Sequence, residues 1–137
     1  MPPLQWTESL SVGDPAMDLH HRHLIQMLTR LNEAVETAST VGNILADLVA
    51  YVDFHFSEEE ARLAAVGFPE LEAHRQFHHR LTEAVIAMQR AYTSNPDRVQ
   101  AAELYEFLSQ WLIVHIQSED MAYRPWLQKL NSATMGA

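Results

Sequence analysis

A chain of 137 residues with a formal charge of −9, 47% hydrophobic residues and no cysteine has the size and make-up of one soluble globular domain. The acidic balance argues against nucleic acid and against anionic membrane surfaces, whose phosphates it would repel, and without cysteine there can be no disulfide, iron–sulfur cluster or thiolate zinc site. No run reaches the roughly 18 apolar residues needed to span a bilayer, and the opening MPPLQWTESL lacks a basic and then apolar targeting segment, so a cytoplasmic location is expected.

Leu4 to Val12, with Trp6, reads as an extended arm packed on the helical body of the domain. Asp14-Pro15 supplies an N-cap and a first-turn proline. Behind it, Met17, His21, Leu24, Leu28, Leu31 and Val35 recur at spacings of four and three, one stripe of an amphipathic helix. Ala38 to Asn43, containing Gly42, reads as a turn-rich break. A second stripe, Leu45, Leu48, Val52, His55, Glu59 and Leu63, ends at Val66-Gly67-Phe68-Pro69, with glycine as the cap and proline opening the next helix.

The third stripe is Leu71, His74, His78, Leu81, Val85, Met88 and Tyr92, and Thr93 to Asp97 reads as a loop. The fourth is Leu104, Leu108, Trp111 and His115, with Leu112 and Ile116 beside it, and Pro125 closes it. Four helices joined by short loops predict an all-α, up-down-up-down antiparallel four-helix bundle. The expected division is one domain over 1–137, with the arm at about 1–13, the bundle at about 14–127 and a short C-terminal tail.

Eight histidines are unusual in so short a chain, and several occupy positions that the stripes reserve for the core. A lone core histidine is more often hydrogen-bonded than metal-bound, but His21, His55, Glu59, His74, His78 and His115 fall on the inward faces of four helices. Burying each without a partner would cost about 1–3 kcal/mol, and more for the carboxylate; a shared metal centre satisfies them together. His55 with Glu59, and His74 with His78, are four residues apart, so each pair projects from one helix face on adjacent turns. Such a donor set exceeds what one tetrahedral zinc can use and is too nitrogen-rich for calcium or magnesium. It suits iron, and a carboxylate can bridge two ions. Manganese, or zinc filling the same site, stays open.

The order of motifs resembles the hemerythrin family, in its single-domain bacterial form. Trp6, Ser11-Val12-Gly13, Met17-Asp18 with His21, HFxxEE at His55 to Glu60, GFPE at Gly67 to Glu70, HxxxH at His74 to His78, and HxxxxD at His115 to Asp120 carry that resemblance. It implies a non-haem centre of two Fe ions that binds O2 reversibly. His74, His78 and His115 would hold one iron, and His21 and His55 the other, which keeps an open position. Glu59 and Asp120 would bridge them together with a solvent-derived oxo or hydroxo group. A regular helix sets Asp120 about 140° away from His115 and favours Glu119. The resemblance nevertheless assigns Asp120, which requires approach from the flank or a locally irregular helix. His20, His23 and His79 lie off the seams, and solvated or outer roles are expected of them. His20 stands where glutamine is common in the family.

Leu112, one turn before His115, with Trp111, Leu24 and Ile25, is expected to line the open position with dry, bulky surface. The sequence contains no Glu-x-x-His, the motif of carboxylate-rich di-iron enzymes. The expectation is therefore a binding protein for O2 transport, storage or scavenging, with O2 as the ligand and a protein recipient of the O2 left unidentified. Two alternatives stay open, a di-iron protein acting on NO or peroxide, and an O2- or redox-sensing module working through a partner.

Overall fold

Helix starts and stops fall mainly where local chemistry puts them. In the structure, a computed structural model that describes residues 4–33, 38–96 and 98–135, α1 runs Pro15–Glu33, α2 Ala38–Ala65, α3 Leu71–Ser94 and α4 Arg98–His115. The Asp14 carboxylate accepts the Met17 N–H at 3.3 Å, capping α1 as Asp-Pro predicts. At the end of α2, Gly67 has φ +68°, the Phe68 N–H donates to Leu63 O, and the Gly67 N–H donates to Ala64 O. This left-handed glycine closes two orphan carbonyls of the helix, and the buried Phe68 covers them. Pro69 lies in the turn that leads into α3.

Each helix packs on two neighbours, α1 on α2 and α4, and α3 on α2 and α4, which gives the antiparallel four-helix bundle. The stripes are its core: Met17, Leu24, Leu28, Leu31, Leu45, Leu48, Val52, Leu63, Val85, Leu104, Leu108, Leu112 and Ile116 are buried. Leu71, Leu81 and Met88 pack against it partly buried. Val35 and Asp97 lie outside the described residues. The arm docks through buried Leu10 and Val12, with one 3-10 turn at Glu8–Leu10. Asp18 holds it by accepting the Val12 N–H at 2.9 Å and the Ser11 hydroxyl at 2.6 Å. Gly13 takes φ +76°, and a Cβ there would come within 2.4 Å of Gln128 Cγ, so the Ser11-Val12-Gly13 turn needs glycine for backbone and space alike. No helix among the described residues is long and apolar enough to cross a membrane.

Three boundaries differ from the expectation. The segment expected as a break at Ala38 to Asn43 is helical, because α2 begins at Ala38 and passes through Gly42. Buried Val41, Ile44 and Leu45 outweigh the roughly 1 kcal/mol that an interior glycine costs. Thr93 and Ser94 likewise extend α3. At the other end, Pro125 does not terminate the helical path. After α4 the chain continues through a wide π turn, Ile116–Asp120, and a 3-10 turn, Met121–Tyr123, into α5, Arg124–Met135. Pro125 sits in the first turn of α5, where a missing N–H costs nothing.

Candidate metal centre

Six inward-facing residues expected from the stripes meet at one end of the bundle. The seventh, Asp120, joins them through the irregular turn. The Met121 N–H donates to Ile116 O, five residues back. This wider register swings residues five apart onto a common face, so Asp120 stands inward beside His115 despite the roughly 140° of a regular helix. Asp120 is fully buried, whereas Glu119 is partly exposed and pairs with His115 Nδ1.

Two groups of buried donors result. Glu59, His74, His78, His115 and Asp120 form one, and His21, His55, Glu59 and Asp120 the other, with the donor atoms in each within 4.8 Å of one another. The two carboxylates belong to both groups and divide their oxygens between them. Glu59 Oε1 lies 2.7 Å from His74 Nε2 and 2.9 Å from His78 Nε2, while its Oε2 lies 3.5 Å from His55 Nε2 and 3.8 Å from His21 Nε2. Asp120 Oδ1 is 3.2 Å from both His74 and His115, and Oδ2 is 3.1 Å from His21.

Despite these approaches, the Nε2 atoms of His21, His55, His78 and His115 and both Asp120 oxygens make no aligned hydrogen bond. These atoms gather in two clusters without pairing with one another in hydrogen-bond geometry. Buried polar atoms without partners are costly, and a cation in each cluster would satisfy all of them. Nitrogen and oxygen donors in this proportion fit a mid-first-row transition metal. The residues present therefore fit a metal centre.

Outside the donors stands a ring of supporting groups. Glu60 Oε2 lies 2.7 Å from His78 Nδ1, and Glu119 is on His115 Nδ1. His20 Nδ1 is 2.9 Å from His55 Nδ1. Such partners fix the imidazole tautomer and turn Nε2 inward. Tyr123, completely buried, donates its hydroxyl to Glu59 Oε2 at 2.7 Å. Sequence reasoning misses Tyr123; its signal is a position three residues after Asp120, one helical turn on. Glu60 stands in the HFxxEE motif, but its service to His78 on another helix shows only in three dimensions. His23 packs exposed against Tyr51, and His79 pairs with Glu83 on the surface, both away from the centre.

Electrostatics show what the donors need. Burial pushes the imidazoles of His21, His55, His74 and His115 toward neutrality. For His21 the adjacent Asp120 and Glu59 carboxylates overcome it and raise the pKa to about 9. His74 rises to about 9 against the same burial, through the same two carboxylates, and His115 rises to about 10, chiefly through the charge of Asp120. His55, for which burial wins, falls to about 3. Burial would raise Glu59 and Asp120, but the surrounding imidazoles hold both well below the usual carboxylate range. The carboxylates demand positive charge, and protons supply it where cations otherwise would.

Leu112, Leu24, Ile25 and Trp111 are all buried. Leu24 and Ile25 follow His21 by about one turn of α1, and Leu112 precedes His115 by about one turn of α4. Trp111 stacks on His115 and tilts against Phe56, and Phe56 lies flat on His78. It therefore flanks the three-histidine group.

Known proteins resemble this chain in sequence and fold. A bacteriohemerythrin of Stenotrophomonas maltophilia (strain R551-3) is 31% identical over 122 residues, spanning 88% of this chain and 78% of that protein. One from Ralstonia nicotianae is 30% identical over 127 residues, covering 93% of this chain and 90% of the relative. The crystal structure of wild-type hemerythrin superposes with a TM-score of 0.84 at 25% identity, over 93% of this chain and 99% of the other. The family model described as the hemerythrin HHE cation binding domain matches residues 12–127. A match running from the arm to the first turns of α5 and enclosing every donor of the centre makes this chain a member of the hemerythrin family.

Proposed function

We propose that the chain binds O2 reversibly at a non-haem di-iron centre and acts as a carrier, store or scavenger of oxygen rather than as an enzyme. The observation that carries the reading is the pair of buried donor groups sharing Glu59 and Asp120. His74, His78 and His115 would hold one ion, His21 and His55 the other, and the two carboxylates would span both. When bound, such a pair of irons supplies two electrons that can be lent to O2 and recovered.

The chain's own residues set the conditions. The second group has two imidazoles against three in the first, so room for a small exogenous ligand would lie on the His21 and His55 side. Leu112, Leu24 and Ile25 cover the inner face with hydrocarbon, with Trp111 closing the flank. A dry wall admits a neutral diatomic gas and withholds the protons and water that would turn lending into irreversible reduction. Imidazole-rich coordination, without the four carboxylates of oxygen-activating bundles, favours the same outcome.

The test is anaerobic reconstitution with Fe(II), iron analysis per chain, and stopped-flow mixing with O2, NO and H2O2. Two irons per chain and an oxygenated absorption spectrum that reverses under argon are expected. Repeated turnover of NO or peroxide with product release would replace the carrier reading by an enzymatic one. Leu112→Ala should shorten the life of the oxygenated form, and an unchanged decay would remove the gating role of Leu112.

A further inference from the structure

The three contacts that back imidazoles of the centre are chemically unequal. His78 and His115 are backed by carboxylates, Glu60 and Glu119. On the other side His55 is backed by an imidazole, with His20 Nδ1 at 2.9 Å, and the buried Nδ1 of His21 has no partner. A hydrogen bond between two Nδ1 atoms needs a proton on only one of them. His55 must keep its Nε2 lone pair for the interior, so its proton sits on Nδ1. Under the two-ion reading His20 therefore accepts at Nδ1 and carries its own proton on Nε2. Tyr51 and Phe54 hold that ring, edge-on at 5.9 Å and tilted at 5.4 Å between centroids.

A carboxylate behind a ligating imidazole raises its basicity, and a neutral acceptor does so less. We propose that His20 is a positioning residue that makes the His21–His55 half the weaker of two metal sites, so that the centre fills in two steps, the three-histidine half first. The inference rests on the two-ion reading under the proposed function. It adds an order of loading and names the residue that sets it. A weakly backed histidine would also donate less to the second ion than Glu60 and Glu119 let His78 and His115 donate to the first.

The test is titration of the ion-free protein with Co(II), following visible absorption and heat, in the wild type and in His20→Leu, His20→Gln and His20→Glu. The wild type should show two resolved steps. His20→Leu should weaken the second by about 10- to 100-fold and leave the first unchanged. His20→Gln, whose amide oxygen is also a neutral acceptor, should restore it, and His20→Glu should tighten it toward the first. Gln and Glu have the same shape, so a difference between them reports charge behind His55 rather than packing, and the pair decides the matter even if the leucine variant fails to fold. A single unresolved step for two ions in the wild type overturns the proposal. So does a second step that is the same with Gln and Glu. Fewer than two ions per chain would instead overturn the di-iron reading itself.

Discussion

The two ends of the bundle are built from the same four helices but solve opposite problems. At one end lie Asp14, His21, His55, Glu59, His74, His78, His115 and Asp120, all buried. At the other, Leu31, Val41, Ile44, Leu45, Leu48, Val85 and Leu104 pack as hydrocarbon. The apolar end follows the ordinary rule of side chains removed from water at roughly 25 cal/mol per Å². The polar end breaks that rule and carries extra scaffolding: the docked arm, the glycine-capped turn at Gly67, and the Arg62 guanidinium paired twice with Asp14, at 2.6 and 2.8 Å. What the difference teaches is a division of labour. One end holds the helices together, and this lets the other keep donors pointed at an interior that hydrogen bonding within the protein does not satisfy.

The sharpest way to break this division is Asp120→Ala. Both donor groups lose a shared member, so metal per chain should fall below two by elemental analysis. The ion-free protein should also lose about 3–5 kcal/mol in urea unfolding, because buried charge is left uncompensated. Retention of two tightly held ions would contradict the shared role of Asp120.

Leu48→Ala probes the apolar end. It should cost about 2–5 kcal/mol through lost burial and the cavity left behind, with Co(II) stoichiometry unchanged at two. Loss of metal from this variant would mean that the two ends are not separable.

A gentler distinction comes from pH. In the ion-free protein His21, His74 and His115 have pKa values raised from 6.5 to about 9, 9 and 10. Their contribution is complete below about pH 6.5 and is lost as pH rises through 9 to 10, because the native state there holds protons that the unfolded chain has released. His55, lowered from 6.5 to about 3, opposes folding increasingly as pH falls below 6.5. Lowered Glu59 and Asp120 add stability above the ordinary carboxylate range and lose it in acid. Thermal midpoints of the ion-free protein should therefore fall between pH 6.5 and 9. Loading with metal, which replaces those protons, should flatten the slope. Equal slopes with and without metal would show that the donors are not held together by protons.

Much of this was legible in the sequence for a simple reason. Helical stripes report burial at 3.6-residue spacing, and a ligand histidine occupies a stripe position as a leucine would. His21, His55, Glu59, His74, His78 and His115 could therefore be found without coordinates. Asp120 could not be reached by regular geometry, because its position depends on the π turn at Ile116–Asp120, which no periodicity announces; the family resemblance supplied it. Gly42 misled in the opposite direction, since a local helix breaker was overruled by the packing of its neighbours. Tyr123 and the backing of His78 by Glu60 depend on contacts across 64 and 18 residues of chain, and those exist only after folding.

By itself the sequence determined the four amphipathic helices, the caps at Asp14 and Gly67, and which faces carry imidazole and carboxylate, because these depend on neighbours within a turn or two. The tertiary structure decided which oxygen faces which histidine, which imidazoles have an anion behind them and which a neutral ring, and how Asp120 enters. Those are distances between helices, and only packing sets them.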